Sequence, residues 1–303
     1  MIDVPPDLFS DLLALPNGIF TRQDALRAGL RDDTLSAARR RGHILRVCRG
    51  AYAAPGPRTK GERRRLLATA ALRVYPDAVL TSSTAVAAHG IPLFEVPVER
   101  LDIARPVARE VLTEHLRIRP VDGKPVETAW GPALDLAPAI VRLTMDQGIP
   151  AGVAAMDVAL QSRAVTREQL ESASREVTGW PRSSRVQCAL AWCDGRSESL
   201  GESVTRVILR AAGWDVESQV VITDHRGDVI ARVDLGIKGT RVLIEFDGKV
   251  KYSDGGVDAL FKEKRREDRI RSMGYLVVRV TWADLFQPQQ IVEAVRVALR
   301  AAA

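Results

Sequence analysis

The C-terminal third of the chain contains residues whose types and spacing could hold a divalent metal ion. Glu245, Asp247 and Lys249 alternate with uncharged residues along a strand-like run, so the period of two of a β-strand places them on one face. Asp234, near the end of the preceding predicted strand, can lie on the same face. Carboxylates brought together must share a cation or a proton, and oxygen ligands suit Mg²⁺ or Mn²⁺. We therefore predict a Mg²⁺ (or Mn²⁺) site at Asp234, Glu245 and Asp247, with the Lys249 ammonium either orienting a water or stabilising a phosphorane-like transition state.

Two alternatives remain open for this candidate site. Asp247 and Lys249 give one register of the pattern, whereas Glu245 could instead be the second carboxylate. The same acids could also be ordinary strand charges that neighbouring basic residues neutralise. Those neighbours would be Arg232, Arg241 and Lys249.

A helix and three strands must position these residues. Apolar residues recur at helical spacing from Leu200 to Ala211, and Glu198 and Glu202 lie on the opposite side of that predicted helix. Glu202 is thus a candidate to complete the metal shell. The strand-like runs that follow, of which the second and third are joined by a short turn at 238–240, are Ser218–Thr223, Val229–Ile237 and Arg241–Phe246.

Several short motifs in this region resemble the very-short-patch-repair-like endonucleases of the PD-(D/E)XK class. They are S-L-G-E (199–202), R-V-D (232–234), I-E-F-D-G-K-V-K-Y (244–252), E-K-R-R-E-D-R-I-R-S-M-G-Y (263–275) and V-V-R-V-T-W-A-D-L (277–285). The resemblance covers about residues 196–300 and implies a helix–strand–strand–strand–helix–strand core that hydrolyses phosphodiester bonds. It implies catalytic roles for Asp234, Glu245, Asp247, Lys249 and Glu202. Val233 stands where the family has proline, and Lys249–Tyr252 occupies the stretch where the family often has a histidine.

The basic charge of the chain is concentrated at its N-terminal end. The 303 residues carry a net charge of +6, and residues 1–65, with 13 Lys and Arg against 7 Asp and Glu, already account for +6. Such clustering is expected for a surface that contacts phosphate groups. A solvated arginine-rich surface would give the same count, so charge alone does not separate the two.

Two short helices are predicted inside this basic segment. Thr21 can cap the first, and Asp24 favours its positive end. The second begins at Asp32 or Asp33 as the N-cap and continues to Arg41. Two short helices joined by a glycine-containing turn are typical of a helix-turn-helix.

A β-ribbon that turns at Gly50 follows these helices and is typical of a wing. If the second helix enters the major groove, its exposed positions around Ser36 face base edges and the basic residues reach phosphates. The candidate DNA-binding residues are Arg39, Arg40, Arg41, Arg46 and Arg49. The alternative is a small helical domain that contacts another protein.

Three runs in the first third of the chain resemble AbiE-type antitoxins, which are the antitoxin members of type IV toxin–antitoxin pairs. They are G-I-F-T-R-Q-D-A-L-R-A-G-L (18–30), R-R-R-G-H-I-L-R-V-C-R-G-A-Y (39–52) and V-L-T-S-S-T-A-V-A-A-H-G-I-P (79–92). The resemblance covers about residues 8–130. It implies DNA binding, autoregulation of an operon and a cognate toxin as a partner.

The remaining features bound the fold class. Three cysteines are too few for a disulfide framework, no Cys/His spacing resembles a zinc site, and there is no phosphate-binding loop motif. No run approaches the length of a membrane span and no secretory signal precedes the first helix, so we expect a cytoplasmic protein. Residues 131–190 are predicted to be mostly helical, with helices over 132–146 and 152–161 and one capped by Thr166.

We therefore predict an α+β multidomain chain. Its parts are a winged helix-turn-helix (1–60), a mixed α/β and helical connector (61–195) and a restriction-endonuclease-like α/β core with a central mixed sheet flanked by helices (196–303). One hypothesis is a metal-dependent DNA endonuclease that the winged helix positions on DNA. The other is a non-catalytic, antitoxin-like transcriptional regulator in which the nuclease fold is a scaffold.

Overall fold

The computed structural model describes the backbone of residues 6–248 and 257–302, and the side chains of residues 8–248 and 265–302. The chain forms two compact units, Met1–Leu143 and Thr144–Ala303. The predicted division at residues 60 and 195 stays a prediction. Among the described residues, no helix combines the length and the apolar character that a membrane span needs.

The first unit begins with a helix-turn-helix and a β-hairpin. Its elements are α1 (Ser10–Leu13), β1 (Ile19–Thr21), α2 (Arg22–Arg27), α3 (Asp32–Arg40), β2 (Leu45–Cys48) and β3 (Ala51–Ala53). The strands form an antiparallel sheet in the order β1-β3-β2. The chain turns between β2 and β3 at Gly50, which has a φ of +88° that favours glycine. This order is the winged helix-turn-helix expected from the sequence.

An aromatic stack fills the centre of this winged helix. The rings of Phe9 and Phe20 stack at 5.8 Å, and those of Phe20 and Tyr52 at 5.4 Å. Leu35 of α3 and Ile44 are buried in the same cluster. Burial of these side chains holds α3 against the sheet, because burying an aromatic or Leu side chain stabilises the fold by about 1.5–3 kcal/mol.

A long helix and a second sheet complete the first unit. They comprise α4 (Lys60–Val74), β4 (Val79–Leu80), α5 (Ser82–Ala88), β5 (Leu101–Arg105), β6 (Val111–Leu112), β7 (Leu116–Pro120), β8 (Pro125–Thr128), β9 (Gly131–Leu134) and α6 (Leu136–Gln147), which extends past the end of the unit. The sheet order is β6-β7-β5-β4-β9-β8. Thr59 caps α4 with a reciprocal Thr–Glu box, which sets the start of this helix at Lys60.

The predicted helix over 132–146 is wrong at its start. Gly131–Leu134 is the strand β9, with Ala133 paired to Leu80 of β4 and to Val126 of β8. Ala133 and Leu134 are buried in the sheet, and only from Leu136 does the chain become helical. The pairing with strands distant in sequence overrides the local helical pattern.

The second unit contains a helical part followed by a sheet with helices. Its elements are α7 (Ile149–Gln161), α8 (Arg167–Glu176), α9 (Ser183–Trp192), α10 (Leu200–Ala211), β10 (Val216–Thr223), β11 (Val229–Ile237), β12 (Val242–Asp247), α11 (Val257–Ser272), β13 (Leu276–Thr281), α12 (Trp282–Leu285) and α13 (Pro288–Ala302). The sheet order is β10-β11-β12-β13, antiparallel except for the parallel pair β12–β13. From α10 to β13 the elements follow the order expected from the sequence.

Two contacts fix α10 within the second unit. Its Arg206 forms an ion pair with Asp157 of α7, and both side chains are completely buried. On another side, Gly201 lies so close to Phe246 of β12 that a Cβ at this position would be 2.0 Å from the ring. Only glycine permits this approach of helix and strand.

Candidate functional site

The start of α2 is built as the sequence predicts. The Thr21 hydroxyl accepts the Asp24 N–H at 3.1 Å, and the Asp24 carboxylate accepts the Thr21 N–H at 2.8 Å. Burial raises the pKa of Asp24, but the hydrogen bonds from Thr21 and the charges of Arg73 and Arg27 outweigh it and leave the pKa below its usual value. The carboxylate is therefore ionised at neutral pH and aligned with the positive end of the helix.

The expected N-cap of α3 is wrong. Arg31 is the N-cap, without a side-chain bond, and Asp32 and Asp33 lie in the first turn. Asp32 is instead engaged by Arg22 of α2, whose Nε donates to Oδ1 at 2.7 Å. The ion pair joins the two helices of the helix-turn-helix across its exposed side.

The outer side of α3 and the hairpin carry the predicted DNA-binding residues. Leu35, Ala37 and Ala38 point into the core, which leaves the opposite side of α3, with a half-buried Ser36, towards solvent. Arg46, within β2, is half-buried and the other four are exposed. These residues are Arg39, Arg40, Arg41, Arg46 and Arg49. The structure places all five on the second helix, just after it, or on the hairpin, where a winged helix contacts phosphates.

In the second unit, the side chain of Glu202 is buried, although the sequence places it on the side of α10 opposite the apolar residues. It is 6% exposed, and its Oε2 accepts the Glu198 N–H at 2.9 Å and the Gln219 Nε2 at 3.0 Å. Burial raises the pKa of Glu202, the hydrogen bond from Glu198 lowers it, and the nearby Asp234 raises it again, so the net shift is upward. Gln219 was not foreseen because its contact with Glu202 spans two elements.

Asp234 lies where the pairing of β11 with β12 ends. The ladder includes Leu235 opposite Ile244, and beyond it the Phe246 N–H donates to the Asp234 carboxylate at 2.8 Å. Burial raises the pKa of Asp234, the bond from Phe246 lowers it, and the charge of Glu245 raises it, with a net upward shift. Glu202 and Asp234 are therefore neighbouring carboxyls that both resist ionisation.

Glu245 and Asp247 do not join Asp234 around one ion. Glu245 is bound by Arg266 at 2.7 Å, with Arg279 at 4.0 Å, and Asp247 lies exposed at the end of β12. Within the part of the chain that the structure describes, no three His, Cys, Asp or Glu side chains are placed to hold a metal ion. The expected convergence of Asp234, Glu245 and Asp247 is thus not found among the described residues, and the Glu245 carboxylate pairs instead with arginines of α11 and β13.

The basic residues expected around these acids do not pair with them as predicted, where the structure describes them. Lys249 lies outside the described residues. Arg232, expected to neutralise the cluster acids, pairs with Glu198 at 2.7 Å, whereas Glu245 uses arginines of α11 and β13. The described acids form no group of three that could hold a metal ion, and the Mg²⁺ or Mn²⁺ site stays a prediction. The catalytic roles of Glu202, Asp234, Glu245, Asp247 and Lys249 stay predictions.

The first unit therefore begins with a winged helix-turn-helix that carries arginines on α3 and the hairpin. Residues 11–55 match a family model described as "Transcriptional regulator, AbiEi antitoxin". The chain is also 28% identical, over 256 residues, to the uncharacterized proteins MT2308 and Rv2248 of Mycobacterium tuberculosis. That similarity covers 80% of this chain and 88% of each relative. The matched antitoxin segment contains α2, α3 and the hairpin, whereas residues 196–303 lie outside it.

Proposed function

We propose that this chain is a DNA-binding transcriptional regulator of the AbiEi antitoxin type. The observation that supports this most directly is the winged helix of residues 11–55, which matches that family and presents arginines on α3 and the hairpin. Phosphate contacts by these arginines supply affinity, and the exposed residues of α3 supply sequence discrimination. Autoregulation of its own operon is the expected biological consequence.

A binding and a transcription experiment together test this proposal. The purified chain is titrated against a labelled duplex from upstream of its own coding sequence and against a shuffled duplex of equal length. We expect the protein to bind the upstream duplex more tightly than the shuffled one. We also expect it to repress a reporter gene that is transcribed from the upstream sequence. Equal affinity for both duplexes at physiological salt, with no change in reporter output, contradicts regulation at this site.

The family match also supports a cognate toxin as a protein partner. We propose that such a toxin is encoded beside this gene, as expected for an antitoxin. Co-expression with the adjacent open reading frame should relieve any growth arrest that the neighbour causes alone. A neighbour that arrests growth equally with and without this chain contradicts the antitoxin role but leaves the DNA-binding role standing.

A second candidate function is DNA cleavage by residues 196–303. Its support is the element order from α10 to β13 together with the neighbouring carboxyls Glu202 and Asp234, whose pKa values are both raised. Raised carboxyl pKa values are more common at functional sites than elsewhere, although structural clusters also produce them. The chemistry stays a proposal, because the described acids do not gather around one ion.

Plasmid incubation with and without Mg²⁺ or Mn²⁺ tests this second candidate. If the domain is a nuclease, wild-type protein nicks or linearises the plasmid, and Asp234→Asn abolishes this without weakening DNA binding. Glu245→Gln and Asp247→Asn then separate the two registers, and Lys249→Ala slows cleavage. Asp228→Asn, an exposed change in the same unit, is the matched control. Wild-type protein that binds DNA but never cuts it, with any of these metals, removes the nuclease candidate.

A further inference from the structure

A pocket beside the wing has no role in the function proposed so far. Its volume is about 230 Å³, and it is lined by residues of β2, the loop after β3, and α4. Two further segments of the first unit, around Val98 and at His115, close its remaining side. Val47 and Leu67 are among the apolar side chains that form its floor.

The polar lining of this pocket is mainly cationic. Arg46, Arg58 and Arg63 lie in its wall, together with His115, against Glu99 as the acid in the lining. Arg58 is committed to its own loop, since its Nη2 donates to the Ala54 carbonyl at 2.6 Å. It therefore braces the loop and adds positive charge without being free to move.

Arg46 and Arg63 differ from Arg58 in that their guanidinium groups do not hydrogen-bond the loop. Neither guanidinium makes a hydrogen bond or an ion pair with any residue that the structure describes. Arg46 is half-buried beside apolar side chains, where the lower local dielectric strengthens the interaction of a guanidinium with an anion. Its planar fork of donors also matches the oxygens of a phosphate.

We propose that this pocket holds a backbone phosphate of the same duplex that α3 and the hairpin engage. The inference rests on the proposed DNA-binding function and extends its contact surface to α4. DNA is the source of the phosphate because Arg46 belongs to the wing strand itself, so a duplex lying along the wing passes this wall. Arg46 of β2 and Arg63 of α4 both donate to the phosphate, and Arg58 stabilises the loop between β3 and α4.

Two single variants of α4 test the proposal. Arg63 lines the pocket, whereas Arg65 is also exposed on the same helix but lies outside the lining, so Arg65→Ala is a control with the same loss of charge. Binding of a labelled random-sequence duplex is measured by anisotropy over a range of KCl concentrations. We expect Arg63→Ala to weaken binding about five- to tenfold at 0.1 M salt and to lower the salt slope by about 0.9, as for one lost phosphate contact. Arg65→Ala should change neither quantity.

A double-mutant cycle sharpens the result. If Arg46 and Arg63 hold one phosphate, the double change to alanine loses less affinity than the product of the two single losses. Equal effects of Arg63→Ala and Arg65→Ala, whether both absent or both present, overturn the proposal.

Two further outcomes distinguish the pocket from the proposed function. If Arg63→Ala leaves DNA binding unchanged but abolishes a shift in thermal midpoint caused by inorganic phosphate, the pocket binds a free phosphate and not DNA. If wild-type protein binds no duplex at all, both the proposed function and this inference fail. If the wild type binds and only the α3 arginines matter, the inference alone fails.

Discussion

Arg73 of α4 donates from Nη2 to Oδ2 of Asp24 at 3.0 Å, and this same carboxylate oxygen accepts the N–H of Thr21. The Arg73 Nη1 donates to the Ile19 carbonyl at 2.7 Å. Asp24, the third residue of α2 and the partner of the Thr21 cap, therefore also attaches the winged helix to α4. Within the first unit, the winged helix and α4 are expected to behave as one folding element.

Removal of Arg73 should loosen α2. Because the guanidinium bonds both a carboxylate and a carbonyl, Arg73→Ala should destabilise this region by about 1.5–3 kcal/mol. Hydrogen exchange of the amides from Ile19 to Arg27 measures the effect without requiring two-state unfolding of the whole chain. Arg65→Ala, an exposed change on the same helix, should leave those amides as protected as in the wild type.

Simultaneous replacement of Arg39, Arg40 and Arg41 by alanine should weaken duplex binding and reduce the salt slope by up to about 2.7. The reason is that each phosphate contact contributes about 0.9 to that slope. Anisotropy titrations at several KCl concentrations provide the measurement. A second variant with the same loss of charge replaces the exposed residues Arg175, Arg226 and Arg300. If both triple variants lose affinity equally, the effect is one of net charge, and α3 is not the contact surface.

The raised pKa of Asp234 predicts a pH dependence of stability. Because the pKa of Asp234 is higher in the folded than in the unfolded state, the folded protein binds more protons between the two pKa values. The free energy of unfolding therefore falls as pH rises from the ordinary Asp pKa towards the raised pKa of Asp234. Asp234→Asn keeps an acceptor for the Phe246 N–H but removes the charge. We expect the thermal midpoint of the variant, relative to wild type, to rise with pH across that window. A difference that is constant with pH, or one that Asp228→Asn reproduces, is the contrary result.

The Arg206–Asp157 pair should matter most when only one partner is removed. Arg206→Met leaves a completely buried aspartate without its cation and should cost about 3–5 kcal/mol. The double change Asp157→Leu with Arg206→Met should recover most of this loss, because no buried charge remains. Urea unfolding, monitored by hydrogen exchange of the amides in the helices of the second unit, compares the wild type, Arg206→Met and the double variant. A double variant as unstable as Arg206→Met would falsify the assignment of the loss to an unpaired charge.

Short-range signals in the sequence predicted the elements whose physics is local. Thr21 and Thr166 cap their helices with partners three residues away, and Gly50 turns the hairpin. The strand Val229–Ile237 has the predicted bounds. In each of these the decisive interaction lies within a few residues or in a single period of the pattern.

Tertiary structure decided the features that depend on partners distant in the chain. The segment from Gly131 is a strand because Leu80 and Val126 pair with Ala133. Glu245 carries the expected alternation, yet Arg266, on a helix beyond β12, determines where its carboxylate goes. The alternation of residues along a strand predicts on which face of the sheet a side chain lies. The oppositely charged residue that pairs with it on that face belongs to another element and is not predicted by the alternation. The sequence alone therefore determined the winged helix and the order of the elements from α10 to β13, whereas the position of the Glu245 carboxylate depends on ion pairs with arginines distant in the chain.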